Sequence, residues 1–174
     1  SANGRVVVLG YLAFKEHLDV IVCQETRRGV GQWRLRMDGY HSTESLASDD
    51  RACNGLERAG GEEPGRNGLL VLVRDGINAY EVGAESGYWI FVRVSGGPFV
   101  RPCIIGNIYR PHDRRVSKVV MEGIKKQIET LRRKFPDDAI ISMGDFNKSG
   151  KDLDKDITSW SPVMERIVPV ETCR

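Results

Sequence analysis

The chain has 174 residues, 40% hydrophobic and 29% charged, enough for one globular domain with a real core and too few for two comfortable ones. Its formal net charge of +2 does not mark a nucleic-acid binder by composition, so any such face has to come from local clustering. Cys23, Cys53, Cys103 and Cys173 share no Cys-x-x-Cys or Cys/His spacing, which excludes an ordinary zinc site and a disulfide framework and favours reduced thiols. The apolar stretch 6–12 is too short to span a bilayer and lacks the features of a signal peptide. A nuclear or cytoplasmic protein is expected, neither secreted nor bound to a membrane.

In chain order, Val6, Leu9, Ala13 and Phe14 fall near helical spacing and run into the polar Lys15-Glu16-His17, which predicts a first helix, against which the Val6-Val7-Val8 run argues weakly for a strand. Val20-Ile21-Val22-Cys23 is a short, continuously apolar run that suits a buried strand, with Gln24 and Glu25 at its end. Residues 43–67 are polar and rich in Gly and acidic side chains, without an apolar period, and read as one long mobile loop. Buried strands are predicted over 68–73, 88–94 and 103–109, punctuated by Gly83, Gly87 and Gly96-Gly97-Pro98. Val116, Val119, Val120, Ile124, Ile128, Leu131 and Phe135 recur at three- and four-residue steps and predict an amphipathic helix over 116–135 with a basic outer face. After Pro136-Asp137-Asp138, Ala139-Ile140-Ile141-Ser142-Met143 predicts a strand that delivers Gly144-Asp145-Phe146-Asn147. Interleaved strands and helices define an α/β (α+β) class.

Two carboxylates each terminate an apolar strand: Glu25 and Asp145. Strand ends are where ligand sites gather, and oxygen ligands there can hold Mg²⁺ or orient a water. The plain alternative is two ordinary solvated acids, because acidic side chains are usually exposed. Arg27, Arg28, Arg34 and Arg36, with Trp33 among them, follow Glu25; Arg110, Arg114, Arg115 and Lys118 follow Tyr109. Such clusters can hold phosphates on either side of a cut, and are also the common make-up of a solvated loop.

Gln24-Glu25-Thr26, the strand from Gly68, Asn107-Ile108-Tyr109-Arg110-Pro111-His112 and Gly144-Asp145-Phe146-Asn147 occur in the order and at roughly the spacing of the endonuclease/exonuclease/phosphatase family. Over residues 3–147 the chain most resembles the apurinic-type endonuclease domains of non-LTR retrotransposons and their exonuclease III-like relatives. The resemblance implies a four-layer sandwich of two sheets with flanking helices, incomplete at its C-terminal side. It also implies Mg²⁺, or Mn²⁺ in its place, bound by Glu25 and Asn3. Asp145 would orient and deprotonate the attacking water, Asn147 would donate to the developing phosphoryl charge, and Tyr109 would contact the scissile phosphate. His112 stands where the family has Asn; with Arg27, Arg28, Arg110, Arg114 and Arg115 it is expected to bind phosphate.

The family closes with a Ser-Asp-His segment that this sequence lacks: its histidines are His17, His41 and His112, and none follows Asn147. Residues 148–174 are therefore read as a divergent or truncated end. The expected function is Mg²⁺-dependent endonucleolytic hydrolysis of DNA, such as target-site nicking for a retrotransposon. The alternatives are action on RNA or a lipid head group, and a catalytically dead module that binds nucleic acid or protein.

Overall fold

The structure is a computed structural model that describes residues 13–26, 36–45, 68–85, 87–148 and 153. The strands are β1 (Val20–Cys23), β2 (Tyr40–Ser45), β3 (Leu69–Arg74), β4 (Asn78–Glu85), β5 (Trp89–Gly96), β6 (Phe99–Tyr109) and β7 (Ala139–Asp145), with helix α1 (Arg114–Lys134) between β6 and β7. They form two sheets, one ordered β1-β3-β2 and the other β4-β5-β6-β7. All pairings are antiparallel except β6 with β7, which are parallel because the chain crosses over through α1.

The apolar pattern explains the layering. Strand β3 has no polar alternation because it is covered on both faces: residues 69–73 are all buried. Leu69, Val71 and Val73 face the second sheet, where Ile90, Val92 and Val94 of β5 and Cys103 and Ile105 of β6 complete the core between the sheets. Leu70 and Leu72 face the other way and pack with Ile21, Met37 and Ala13, the last on a short helical stretch. Strand β5 sends Trp89 and Phe91 outward to α1 by the same period of two.

Asp113 caps α1: its Oδ1 accepts from the backbone N–H groups of Arg115 (2.8 Å) and Val116 (2.9 Å). From there Val116, Val120, Met121, Ile124, Ile128 and Leu131 bury one stripe against the sheet, each worth about 1.5–3 kcal/mol of transfer free energy. Gly123 lets the helix approach Trp89 closely; a Cβ there would lie 2.5 Å from the indole ring. The expected basic face is present, with Lys126, Arg133 and Lys134 exposed.

Five strands and the long helix stand where the sequence places them. Strand β2 corrects the loop expected over 43–67 at its first three residues, because β3 pairs with Tyr40-His41-Ser42-Thr43-Glu44-Ser45 throughout. These side chains are polar since β2 is an edge strand whose residues before Ser45 are only half-buried. The remainder of that loop lies outside the described residues, as do nearly all of residues 148–174. Strand β4 was hidden for a similar reason: it is the edge of the second sheet, carries exposed Asn78, Tyr80, Glu81 and Ala84, and is interrupted by an irregularity between Glu81 and Gly83.

The start of β7 is fastened to β5 by a charged clasp. Arg93 Nε donates to Asp138 Oδ2 at 2.6 Å, and the guanidinium lies 5.0 Å from the Phe135 ring centroid. The Asp138 carboxylate beside it holds the Arg93 pKa above its usual value. The Asp138 side chain is only 8% exposed, so Asp138→Ala removes a well-packed acceptor and is expected to cost about 2–3 kcal/mol, read as a lowered urea midpoint at unchanged slope.

Candidate active site

Three strands end together: β1, β6 and β7 deliver Gln24-Glu25, Tyr109-Arg110 and Asp145 to one end of the sandwich. Tyr109 and Asp145 are register partners in the parallel ladder, so they project on the same side of the sheet. The backbone of Arg110 extends this junction. Its N–H donates to Asp145 O at 2.8 Å, and its carbonyl accepts from Asn147 Nδ2 at 2.7 Å. Asp145 Oδ1 in turn accepts from the Asn147 N–H at 2.9 Å, a local turn that holds the Asn147 amide beside the carboxylate.

Asn107 brings the other sheet to this end. It is fully buried within an apolar run and reaches across the core. Its Nδ2 donates to Cys23 O (2.9 Å) and Leu70 O (3.1 Å), and its Oδ1 accepts from Gln24 Nε2 at 2.6 Å. Every polar atom of the amide is thereby satisfied, as burial requires. Glu25 follows at φ 53, a left-handed turn that takes the chain out of β1 and leaves the carboxylate exposed. On its far side Thr26 N–H donates to Gly68 O at 3.0 Å.

The expected site residues divide accordingly. Glu25, Tyr109, Asp145 and Asn147 are brought to the same strand ends. Glu25 and Asp145 are exposed, Asn147 is half-buried at φ 45, and Tyr109 is 5% exposed, its ring part of the core between the sheets. Arg110 is half-buried with Nε donating to Ser117 Oγ, which ties the guanidinium to α1. His112, Arg114 and Arg115 are exposed around the start of that helix, whose first turn carries no acidic residue. Asn3, Arg27 and Arg28 lie outside the described residues. Gln24 and Asn107 had no assigned role in the sequence reading, yet a lone amide inside Cys103-Ile104-Ile105-Gly106-Asn107-Ile108-Tyr109 signals a buried group that must find partners.

The donor chemistry at this end fits Mg²⁺. Glu25, Asp145 and the Asn147 amide offer hard oxygens, and Mg²⁺ characteristically takes one or two carboxylates and keeps several waters. Cys23 does not compete: it packs with the outer apolar cluster, and burial pushes its thiol pKa up, so the thiol stays protonated at neutral pH. Among the described residues no group of three or more His, Cys, Asp or Glu stands together. An open cleft bounded by Phe14, His17, Arg36, Tyr40 and Arg74 lies at the other end of β3 and contains none of these residues.

No protein-family model and no curated protein matches the sequence. Among solved structures, the chain is similar to the endonuclease domain of TRAS1, a telomere-specific non-LTR retrotransposon, with 15% identity, a TM-score of 0.57, and coverage of 89% of this chain and 64% of that one. It is also similar to the human Nocturnin catalytic domain, solved with a bound sulfate anion, with 14% identity, a TM-score of 0.58, and coverage of 90% and 62%. The chain thus has the two-sheet α/β sandwich fold of endonuclease/exonuclease/phosphatase proteins, and it spans less than two thirds of the length of either neighbour. Among the described residues no helix is long and apolar enough to cross a membrane.

Proposed function

We propose that this chain carries the metal-binding part of a Mg²⁺-dependent phosphodiesterase that cuts DNA. The observation that carries this reading is the convergence of Glu25, from the end of β1, with Asp145 and Asn147, from the end of β7, at one end of the two sheets. Their fold neighbours include a retrotransposon endonuclease domain, which supports nucleic acid as the substrate class.

In this reading Glu25 holds the cation, with Asn3 as a further oxygen donor. The bound ion supplies charge neutralisation at the phosphate and at the leaving oxygen. Asp145 orients the attacking water and takes its proton. Asn147, fixed by its bond to Arg110 O, turns its second amide hydrogen to a phosphoryl oxygen, and the Tyr109 hydroxyl donates to another. Arg114 and Arg115, with His112, form a basic rim at the positive end of α1, which favours a polyanion over a neutral substrate; Arg27 and Arg28, outside the described residues, are proposed to bind phosphate as well.

The test is nicking of supercoiled plasmid in Mg²⁺. Nicking is expected to vanish in EDTA and to fall by about 10²-fold in Glu25→Gln, the order seen when a stabilising group at a reacting centre is removed. Metal-independent DNA retention without turnover would instead establish a binding module, and turnover of an RNA or lipid phosphodiester in place of plasmid would move the substrate class.

A further inference from the structure

Building on that reading, we propose that Gln24 is a positioning residue: clamped by Asn107, it sets where Glu25 stands relative to Asp145. The orientation of the two amides follows from their partners. Cys23 O and Leu70 O can only accept, so the Asn107 nitrogen must face them; its oxygen then faces Gln24, whose nitrogen must donate. Both hydrogens and the oxygen of Asn107 are used on the opposite sheet, although an aliphatic side chain could fill the same volume without needing any partner.

What this arrangement fixes is the exit of β1. Glu25 lies between two anchors, the Gln24 side chain on Asn107 and the Thr26 N–H on Gly68 O. Asn107 is two residues before Tyr109 on β6, and Tyr109 is the register partner of Asp145. One path from one carboxylate to the other therefore runs Glu25, Gln24, Asn107, Tyr109, Asp145, and in it Asn107 holds the end of β1 by two side-chain bonds, to Cys23 O and to the Gln24 amide, the second being the nearer to Glu25. Losing the Gln24 bond removes one of the two anchors that flank Glu25, while the ladder that carries Asp145 stays in place. A displacement near 1 Å at a reacting group can cost about 10²-fold, so this link matters more to function than to folding.

The test measures Mn²⁺ binding to the full chain by electron paramagnetic resonance, together with the urea midpoint, for the wild type, Gln24→Met and Tyr40→Phe. Methionine keeps the length of glutamine and cannot donate. Tyr40→Phe removes a hydrogen bond to Leu18 O at the other end of the first sheet and serves as the purely structural control. Gln24→Met is expected to bind Mn²⁺ about tenfold to hundredfold more weakly, as for other groups that orient a ligand, while Tyr40→Phe binds like the wild type. If Gln24→Met matches the wild type, or if both variants weaken equally, the positioning role is overturned and the metal site stands. If the wild type itself shows no saturable Mn²⁺ binding, the reading of the site falls with it.

Discussion

Gly144→Ala is expected to break the candidate site from within, with a loss of at least about 3 kcal/mol of stability and of all nicking activity. Gly144 has φ 141, a region that L side chains rarely adopt, and a Cβ added there would sit 1.9 Å from the carbonyl oxygen of Ile108. Ile108 is its register partner on β6, so the obstacle is backbone inside the ladder and cannot rotate away as a side chain would. Relief requires β7 to peel from β6 at its last residues. That separates Asp145 from Tyr109 and pulls the Asn147 amide away from Arg110 O. A urea denaturation curve and the plasmid assay check this together; a variant with the wild-type midpoint and wild-type nicking would mean that the strand ends are not coupled as described.

Asp145→Asn is expected to behave in the opposite manner, sparing the fold and removing the chemistry. The side chain is exposed, and an asparagine oxygen can still accept from the Asn147 N–H, so the local turn survives. What it cannot do is take a proton from water. Acid–base help of this kind contributes about 10²–10⁴-fold, and the nicking rate at saturating metal should fall by that order with DNA binding unchanged. If Asp145→Asn nicks at the wild-type rate, the water is oriented by another group.

The parts of the fold legible in the sequence are those written as continuous apolar runs or with a clear helical period. Strands β1, β3, β5, β6 and β7 announce themselves as apolar runs because each meets either the other sheet or α1, and α1 shows its period because one stripe packs on Trp89 and Phe91. Strands β2 and β4 are half-buried or exposed over most of their length and carry few apolar side chains, so burial leaves little trace in Tyr40-His41-Ser42-Thr43-Glu44-Ser45 or in Asn78-Ala79-Tyr80-Glu81. The same logic divides the site. Glu25 and Asp145 stand out as acids that end apolar runs, and the motif resemblance draws attention to Tyr109 and Asn147. The joining of these segments was not readable, since it depends on register between distant strands and on one amide crossing 83 positions of sequence from Asn107 to Gln24.

Two residues of the candidate site, Glu25 at φ 53 and Asn147 at φ 45, adopt backbone conformations in which glycine would be the more comfortable occupant. Under the proposed function, thermal robustness and cleavage are therefore at odds at these two positions. A library of variants screened only for resistance to heat would be drawn toward glycine there and would discard the carboxylate and the amide in the process.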